Sequence, residues 1–345
     1  MPATIEHGVS DTFRHQPQPP PQGDIIRSPI PHPRLMPRIL RSILCTCALL
    51  LASPAPHAQA EPQLLHTEPS QFGKILVFEE NGERCLNFNS MVDFGRQTCM
   101  SLAEPDTLVF RYTRMMVSAL FVQPAPRRIL IVGLGGATLQ KTLARLLPQA
   151  TIDTVEIDPA IAKVAEAYFG YQPGPRQRLF LEDGRAYIER AHREGRQYDM
   201  VMLDAFDVDY IPAHLMTREF LEHVRGILAE GGIVVANTFT NSELYERESA
   251  TYAAVFGDFF NLRQGNRVII AARGALPGDE VLARNAAALQ DRMQRIGVDA
   301  EEAVGRFFRQ TTGCHVDSEI LLDNLSYTRL PRLSSPIMRS AATDH

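Results

Sequence analysis

The stretch Arg128–Thr138, with the sequence RILIVGLGGAT, decides the fold class. Ile129–Val132 is a short, continuous apolar run, which is typical of a strand that is buried on both faces of a parallel sheet. Gly133, Gly135 and Gly136 follow at once, and glycines let the chain turn tightly into a helix and let a ligand approach the backbone. A glycine turn that serves packing alone is the alternative interpretation.

Outward from this turn, apolar strands and amphipathic helices alternate along the chain, which predicts a doubly wound α/β domain with a parallel sheet over residues 109–310. The other predicted strands are Thr151–Ile157, Arg178–Leu181, Asp199–Leu203 and Ile233–Asn237. The predicted helices are Thr138–Leu147, Pro159–Phe169, Gly184–Arg193 and Thr217–Leu228, the last closed by Gly231 and Gly232, with further helices and a strand pair near Asn261–Ala272.

The region before the α/β domain has a different pattern. Lys74–Phe78, Arg84–Phe88 and Gln97–Leu102 are strand-like and are separated by turn residues. We therefore predict a small antiparallel β domain over residues 61–108, joined to the α/β domain by a helical segment at Val109–Phe121. Residues 311–345 form a C-terminal segment.

The first sixty residues differ in composition from the rest, since they contain 11 of the 24 prolines. Residues 1–35 are expected to be disordered or a wrongly assigned extension before Met36. Residues 36–60 resemble a signal peptide, with arginines, an apolar run at Ile43–Ala52 and a cleavage site ending at Ala60. This predicts an exported protein, periplasmic or secreted; an amphipathic or buried helix is the alternative. In an oxidising compartment Cys85 and Cys99 could form a disulfide, and free buried thiols are the other option.

Composition excludes several classes of protein. Lys and Arg number 35 against 40 Asp and Glu, so the formal charge of −5 argues against a nucleic-acid-binding protein. Five cysteines without a CxxC pair argue against a disulfide scaffold or a zinc site. The mature chain has no segment long enough to span a membrane.

Acidic residues follow three of the predicted strands, at the sheet edge where α/β domains bind ligands. Glu156 is placed to hold a ribose diol, whereas Asp158, before Pro159, fits the N-cap of the next helix. Asp183, with Gly184, could accept a hydrogen bond from an adenine amino group or could cap its own helix. With the glycine turn, these acids indicate a nucleoside site.

A third acidic group follows the strand Asp199–Leu203. Asp204 and Asp207, joined by Asp209, make an electronegative entrance suited to a cationic substrate. A carboxylate at this position could also orient and deprotonate an amine nucleophile. A solvated acidic loop is the alternative.

Together these features resemble the spermidine synthase (polyamine aminopropyltransferase) family over roughly residues 74–239. That family has a small β domain before an α/β domain of the S-adenosylmethionine-dependent transferase type. The positions that match its motifs are the glycine loop Gly133–Gly136, Glu156, the pair Asp183 and Gly184, the pair Asp204 and Asp207, Tyr112 and Gln97.

The resemblance implies transfer of an aminopropyl group from decarboxylated S-adenosylmethionine, as a co-substrate, to an amine such as putrescine, with release of methylthioadenosine. Asp204 would be the catalytic base, Asp207 a partner of the amine, and Tyr112 and Gln97 substrate-binding residues. No tightly bound cofactor or metal is expected. Members of the resembled family often form dimers or tetramers, so a homodimer is one expectation for this chain.

The chain departs from the family at three positions. Gly135 stands where the family has an Asp that holds the donor ammonium, and Thr113 and Arg114 replace a His-Glu pair. These departures keep two alternatives open. One is a methyltransferase that uses S-adenosylmethionine, and the other is a catalytically silent exported protein that binds a nucleoside or polyamine.

Overall fold

The computed structural model describes residues 61–91, 96–206, 210–311 and 318–323. The predicted N-terminal extension and signal peptide, the acidic pair Asp207 and Asp209, Cys314 and most of the C-terminal segment lie outside these residues. Among the described residues, no helix has both the length and the apolar character needed to cross a membrane.

The strands of the described chain are β1 (Gln63–Ser70), β2 (Gly73–Glu80), β3 (Glu83–Phe88), β4 (Thr98–Ser101), β5 (Arg128–Val132), β6 (Thr151–Glu156), β7 (Gln177–Leu181), β8 (Tyr198–Leu203), β9 (Leu228–Phe239), β10 (Phe259–Gln264), β11 (Asn266–Ala272) and β12 (Phe308–Gln310). The α-helices are α1 (Arg111–Val117), α2 (Thr138–Leu146), α3 (Pro159–Phe169), α4 (Gly184–Arg193), α5 (Arg218–Ile227), α6 (Tyr245–Phe256), α7 (Asp279–Gln294) and α8 (Ala300–Val304). Short 3-10 helices lie at Ser118–Phe121 and Ala213–Leu215.

The described residues form a four-stranded sheet, in the order β1-β2-β3-β4, and an eight-stranded sheet, in the order β12-β10-β11-β9-β8-β5-β6-β7. The first sheet is antiparallel throughout. In the second, the neighbours from β9 to β7 are parallel, as the sequence predicts. The strand order changes direction between β5 and β8, which is where ligands bind in sheets of this kind.

Alternate residues of the central strands pack against opposite helix layers. Ile129 and Ile131 face the layer formed by α1, α2 and α7, whereas Leu130 and Val132 face α4, α5 and α6. Both faces of the sheet are therefore apolar along these strands. The residues that follow the strands are not part of this packing, so they can carry polar groups. This explains why Ile129–Val132 of β5 and Met200–Leu203 of β8 are continuous apolar runs.

The structure differs from the predicted elements at the edges of the fold. β1 was not predicted, and β10, β11 and β12 extend the parallel sheet with antiparallel neighbours. Gly231 and Gly232 do not close a helix; they lie within β9, which begins at Leu228, directly after α5. The register of β8 against β9 shifts between Tyr198 and Met200, opposite the two glycines, and Gly231 keeps a φ of +71°, so the glycines form an irregularity inside the strand and do not end an element.

The small sheet packs against the glycine turn of the large one. Thr98 of β4 lies where a Cβ on Gly136 would approach its Cγ2 to 2.6 Å, and its Oγ1 is 3.2 Å from the Oγ1 of Thr138. Beside it, Cys85 of β3 and Cys99 of β4 stand opposite each other and form a disulfide. The pairing that the sequence left open is therefore a covalent link between β3 and β4.

Candidate active site

A cleft of about 1520 Å³ lies at the carboxyl ends of the parallel strands, between the two sheets. It is lined by every described residue that the sequence singled out: Gln97, Tyr112, Gly133, Gly135, Gly136, Glu156, Asp183, Gly184 and Asp204. Asp207 lies outside the described residues. Tyr112, Glu156 and Gly184 belong to α1, β6 and α4, and the other six residues lie in the connections between elements.

Gly133 joins the floor of the cleft to the end of β8. Its φ of +102° is a conformation that side chains rarely adopt, and a Cβ there would lie 2.2 Å from the backbone oxygen of Asp204. The backbone N–H of Asp204 in turn donates to the Val132 carbonyl at 2.9 Å. Glycine is required at this position because the two chain segments touch through their backbones.

The other glycines have different reasons. Gly135, with φ of +51°, has no atom within 4 Å of the position its Cβ would take, so this side of the turn is open. A Cβ on Gly184 would lie 2.5 Å from the Cγ1 of Val132, so glycine lets the start of α4 approach β5 closely. The packing interpretation therefore fits Gly184, and the ligand-approach interpretation fits Gly135.

Glu156 ends β6 and is 9% exposed. Its Oε2 accepts the backbone N–H of Leu134, in the glycine turn, at 3.0 Å, and its Oε1 accepts the N–H of Asp158 at 2.9 Å. Burial raises the pKa of the Glu156 carboxyl to about 7, although these hydrogen bonds favour the ionised form. The carboxyl therefore titrates near neutral pH while it faces the cleft.

The two neighbouring acids are helix caps. Asp158 accepts the N–H of Ala160 at 2.9 Å at the start of α3, as predicted. Asp183 accepts the N–H of Ala186 at 2.9 Å at the start of α4, and its second oxygen lies 2.9 Å from Nε2 of His214. Burial alone would raise the pKa of Asp183, but these hydrogen bonds outweigh burial and lower it. Asp183 is therefore a cap that still lines the cleft.

Asp204 follows β8 and is half-buried at the end of the strand. Asn237, at the corresponding end of β9, donates from Nδ2 to Oδ1 of Asp204 at 2.9 Å. The surrounding protein removes water from this carboxyl and raises its pKa to about 6, whereas the Asn237 hydrogen bond lowers it. Asp204 is thus largely ionised at neutral pH, yet basic enough to take a proton.

Tyr112 lies across the cleft on α1 and stacks on Phe110, with the ring centroids 5.8 Å apart. Burial, and then the negative charge of Asp204, raise the pKa of the Tyr112 phenol well above its ordinary value. The phenol is therefore protonated, and it faces the cleft as a hydrogen-bond donor.

The neighbours of Tyr112 on α1 point their polar groups at the backbone. Thr113 donates to the Phe110 carbonyl at 2.7 Å, and Arg114 donates to the Leu108 carbonyl from Nε at 2.9 Å and Nη2 at 2.6 Å. Burial, and then the charge of Arg111, lower the pKa of the Arg114 guanidinium. Thr113 and Arg114, the two residues that differ from the family's His-Glu pair, therefore hydrogen-bond the backbone of the segment that carries Tyr112.

Sequence reasoning missed the polar residues contributed by β9, β11 and the segment after β8. Asn237 could have been found, because it ends a predicted strand just as Glu156 and Asp204 do. His214 and Asn266 gave no signal. His214 reaches the cleft from the 3-10 helix at Ala213–Leu215, and Asn266 reaches it as the first residue of β11, directly after the turn from β10.

Comparison with known proteins identifies the family. Residues 109–262 match the Spermine/spermidine synthase domain. A polyamine aminopropyltransferase from Vibrio vulnificus (strain CMCP6) is 40% identical over 267 residues, which cover 76% of this chain and 89% of that protein. The chain belongs to the spermidine synthase (polyamine aminopropyltransferase) family.

Solved structures share the fold of this family member. A probable spermidine synthase from Corynebacterium glutamicum ATCC 13032 superimposes with a TM-score of 0.61 at 20% identity, covering 77% of this chain and 99% of that one. Human Methyltransferase-like protein 13, in complex with SAH, superimposes with a TM-score of 0.50 at 25% identity, covering 53% and 92% of the two chains. The fold class predicted from the sequence is therefore confirmed.

For a member of the spermidine synthase family, the chemistry of the cleft is simple. One carboxyl, Glu156, lies beside the backbone of the glycine turn, and another, Asp204, is attached to the same turn through the main chain. Both carboxyls line the same cleft. Such an arrangement can align a nucleophile and remove its proton, which is sufficient when the leaving group is already activated.

Proposed function

We propose that this protein is an aminopropyltransferase that moves the aminopropyl group of decarboxylated S-adenosylmethionine to an amine such as putrescine. In the step proposed, the amine nitrogen forms a bond to the carbon attached to the sulfonium. The carbon–sulfur bond breaks, its electron pair passes to sulfur, and methylthioadenosine leaves. The proton released from nitrogen passes to Asp204.

The observation that carries this proposal is the state of Asp204. It is a desolvated carboxylate with a pKa of about 6, attached to the glycine turn and oriented by Asn237. A general base of that kind is present in its ionised form at neutral pH and retains useful basicity.

The donor would lie on the other side of the same turn. We propose that Glu156 accepts the ribose hydroxyls, that the backbone of Gly133, Gly135 and Gly136 faces the sulfonium chain, and that Asp183 and Gly184 border the adenine. Tyr112, Gln97 and Asp207 would contact the amine. Removing the Asp204 carboxylate should therefore affect the chemical step and leave nucleoside binding largely intact.

The test is Asp204→Asn, assayed for methylthioadenosine release and, by calorimetry, for methylthioadenosine binding. We expect turnover to fall by about 10²–10⁴-fold, the usual contribution of a general base, with the dissociation constant nearly unchanged. Equal turnover in wild type and variant would remove Asp204 from the mechanism.

Methyl transfer from S-adenosylmethionine is the second candidate function, and Gly135 favours it. The open space beside Gly135 holds no carboxylate to attract the donor ammonium, and the methyltransferase-like neighbour has a TM-score of 0.50. Parallel titrations with decarboxylated S-adenosylmethionine, S-adenosylmethionine and methylthioadenosine separate the candidates. A preference for the carboxylated donor supports methyl transfer, and no binding at all supports a silent exported protein that has lost the activity.

We further propose that the chain is exported after cleavage near Ala60. The Cys85–Cys99 disulfide supports this, because disulfides persist in oxidising compartments. Mass spectrometry of the protein isolated from its native cells should give a mature N-terminus at Glu61. A chain that retains residues before Glu61 in the cytoplasm would refute export.

A further inference from the structure

A chain of two amide side chains leads from β11 to Asp204. Nδ2 of Asn266 donates to Oδ1 of Asn237 at 3.0 Å, and Nδ2 of Asn237 donates to Oδ1 of Asp204 at 2.9 Å. Asn237 is 3% exposed, so these partners are not exchanged freely for water. Both amides line the cleft, beside the proposed base.

The direction of these hydrogen bonds is set by charge. An ionised carboxylate only accepts, so Asn237 must turn its NH₂ toward Asp204 and its oxygen away. If Asp204 were protonated, its O–H could donate a hydrogen bond to the Asn237 oxygen after that amide had rotated. Asn266 opposes that rotation, because it occupies the Asn237 oxygen with a donor.

The outer amide is held by the fold. Asn266 is the first residue of β11, and it follows the turn residue Gly265, whose φ is +77°. The Thr240 hydroxyl, just after β9, donates to the Gly265 carbonyl at 2.6 Å. The antiparallel pairing of β9 with β11 therefore fixes the distance between the two amides.

We propose that Asn237 and Asn266 are positioning residues that hold Asp204 in its ionised form and leave its Oδ2 to the acceptor amine. This inference rests on the proposed role of Asp204 as the base. Among the described residues, Asn237 is the side chain that hydrogen-bonds Asp204, at Oδ1, which leaves Oδ2 for the substrate.

Few titratable groups in the described part of the chain surround this carboxyl. From α1, Tyr112 faces it, and it stays a neutral phenol because burial and the charge of Asp204 raise its pKa. The glycine turn contributes no ionisable side chain, and β9 and β11 contribute the two neutral amides. The charged residues of these two strands have other partners, since Arg267 of β11 lies 3.7 Å from Glu248 and Glu230 of β9 lies 3.8 Å from Arg273. On its own loop, Asp207 and Asp209 follow in the sequence, outside the described residues. The amide pair is therefore the structural element that favours the ionised carboxylate.

The experiment is the pH dependence of kcat at saturating donor and amine, for wild type and four variants. Asn237→Leu keeps the side-chain size and removes the donor, and Asn266→Ala releases Asn237. Asn266→Asp should rotate Asn237 by offering an acceptor in place of a donor. Asn285→Ala is the matched control, because Asn285 bonds the Phe121 carbonyl away from the cleft.

We expect the acid limb of the kcat profile to move to higher pH by about 1–2 pH units in Asn237→Leu, the effect of losing a hydrogen bond to a charged group. The shift should be smaller in Asn266→Ala than in Asn237→Leu. It should be larger in Asn266→Asp than in Asn266→Ala, and Asn285→Ala should show none. Activity should recover at high pH in each case. A uniform loss of kcat without a shift, or a smaller shift in Asn266→Asp than in Asn266→Ala, would overturn the proposal.

A second measurement separates this inference from the proposed function. Carbon-13 carboxyl NMR of aspartate-labelled protein reports the Asp204 titration directly, with Asp204→Asn identifying its signal. If wild type has no transferase activity, the reaction proposed above fails, yet the same order of variants should hold for the titration midpoint. An unchanged Asp204 titration midpoint in Asn237→Leu, in protein with normal thermal unfolding, would refute the proposed role of the two amides.

Discussion

Nucleoside binding should depend on pH through Glu156. This carboxyl is buried, its pKa is raised to about 7, and both oxygens already accept backbone N–H groups. Ribose hydroxyls would donate to its ionised form, so the competent fraction of the protein falls as the pH falls through 7. At pH 8 about nine-tenths of the molecules are ionised, and at pH 6 about one-tenth.

The expected consequence is a dissociation constant for methylthioadenosine about tenfold higher at pH 6 than at pH 8, equivalent to about 1.4 kcal/mol. Isothermal calorimetry across pH 5.5–8.5 measures it directly. The carboxyl must lose its proton for binding, so calorimetry in buffers of different ionisation enthalpy should show proton release at pH 6 and almost none at pH 8.

Glu156→Gln is the matched variant, because it keeps the side-chain shape and removes the charge. It should bind methylthioadenosine more weakly, and with no pH dependence between 6 and 8. A flat profile in wild type would refute the reasoning. A tenfold slope that persists in Glu156→Gln would assign the titration to another group.

Three further predictions concern the scaffold of the site. Gly133→Ala should unfold the protein or abolish turnover, because its Cβ would lie 2.2 Å from the Asp204 carbonyl oxygen. Gly135→Ala has open space around its Cβ and should cost only about 1–2 kcal/mol of left-handed backbone strain. Thermal unfolding and turnover measure both variants, and equal effects would contradict the contact between Gly133 and Asp204. Replacing both cysteines of the disulfide with alanine should lower the free energy of unfolding by about 3 kcal/mol, as expected for a separation of 14 residues. Denaturant titration measures this change, and an unchanged unfolding midpoint would argue against the disulfide. Arg267→Met should cost about 3–5 kcal/mol by the same titration, because it leaves the buried Glu248 without its cation, and adding Glu248→Gln should recover part of that loss.

The sequence predicted most of the parallel sheet and the acids at its edge. α3 and α4 have the predicted bounds, because each begins directly after an aspartate, Asp158 or Asp183, that caps it as the sequence allowed. Ligands bind at the carboxyl ends of parallel strands, and this rule alone predicts that Glu156 and Asp204 share a cleft, as they do.

What the sequence missed depends on contacts between distant segments. β1 is an exposed edge strand with Pro69 near its end, and pairing with β2 rather than its own pattern makes it a strand. The role of Asp183 stayed open because a cap and a ligand group use the same residue type, and only the fold places His214 beside it. Asn266 reaches Asn237 through an antiparallel pairing that periodicity does not reveal.

The backbone contact between Gly133 and Asp204 also bears on how this family can diverge. Because the turn and the carboxylate meet through main-chain atoms, no side-chain substitution can change the spacing between them without breaking the sheet. Selection for a new acceptor would therefore act on the surrounding walls, which are contributed by the small sheet, α1 and the β10–β11 turn. With the binding mode proposed above, the glycine turn and Asp204 would change only together, whereas the walls that face the amine could change separately.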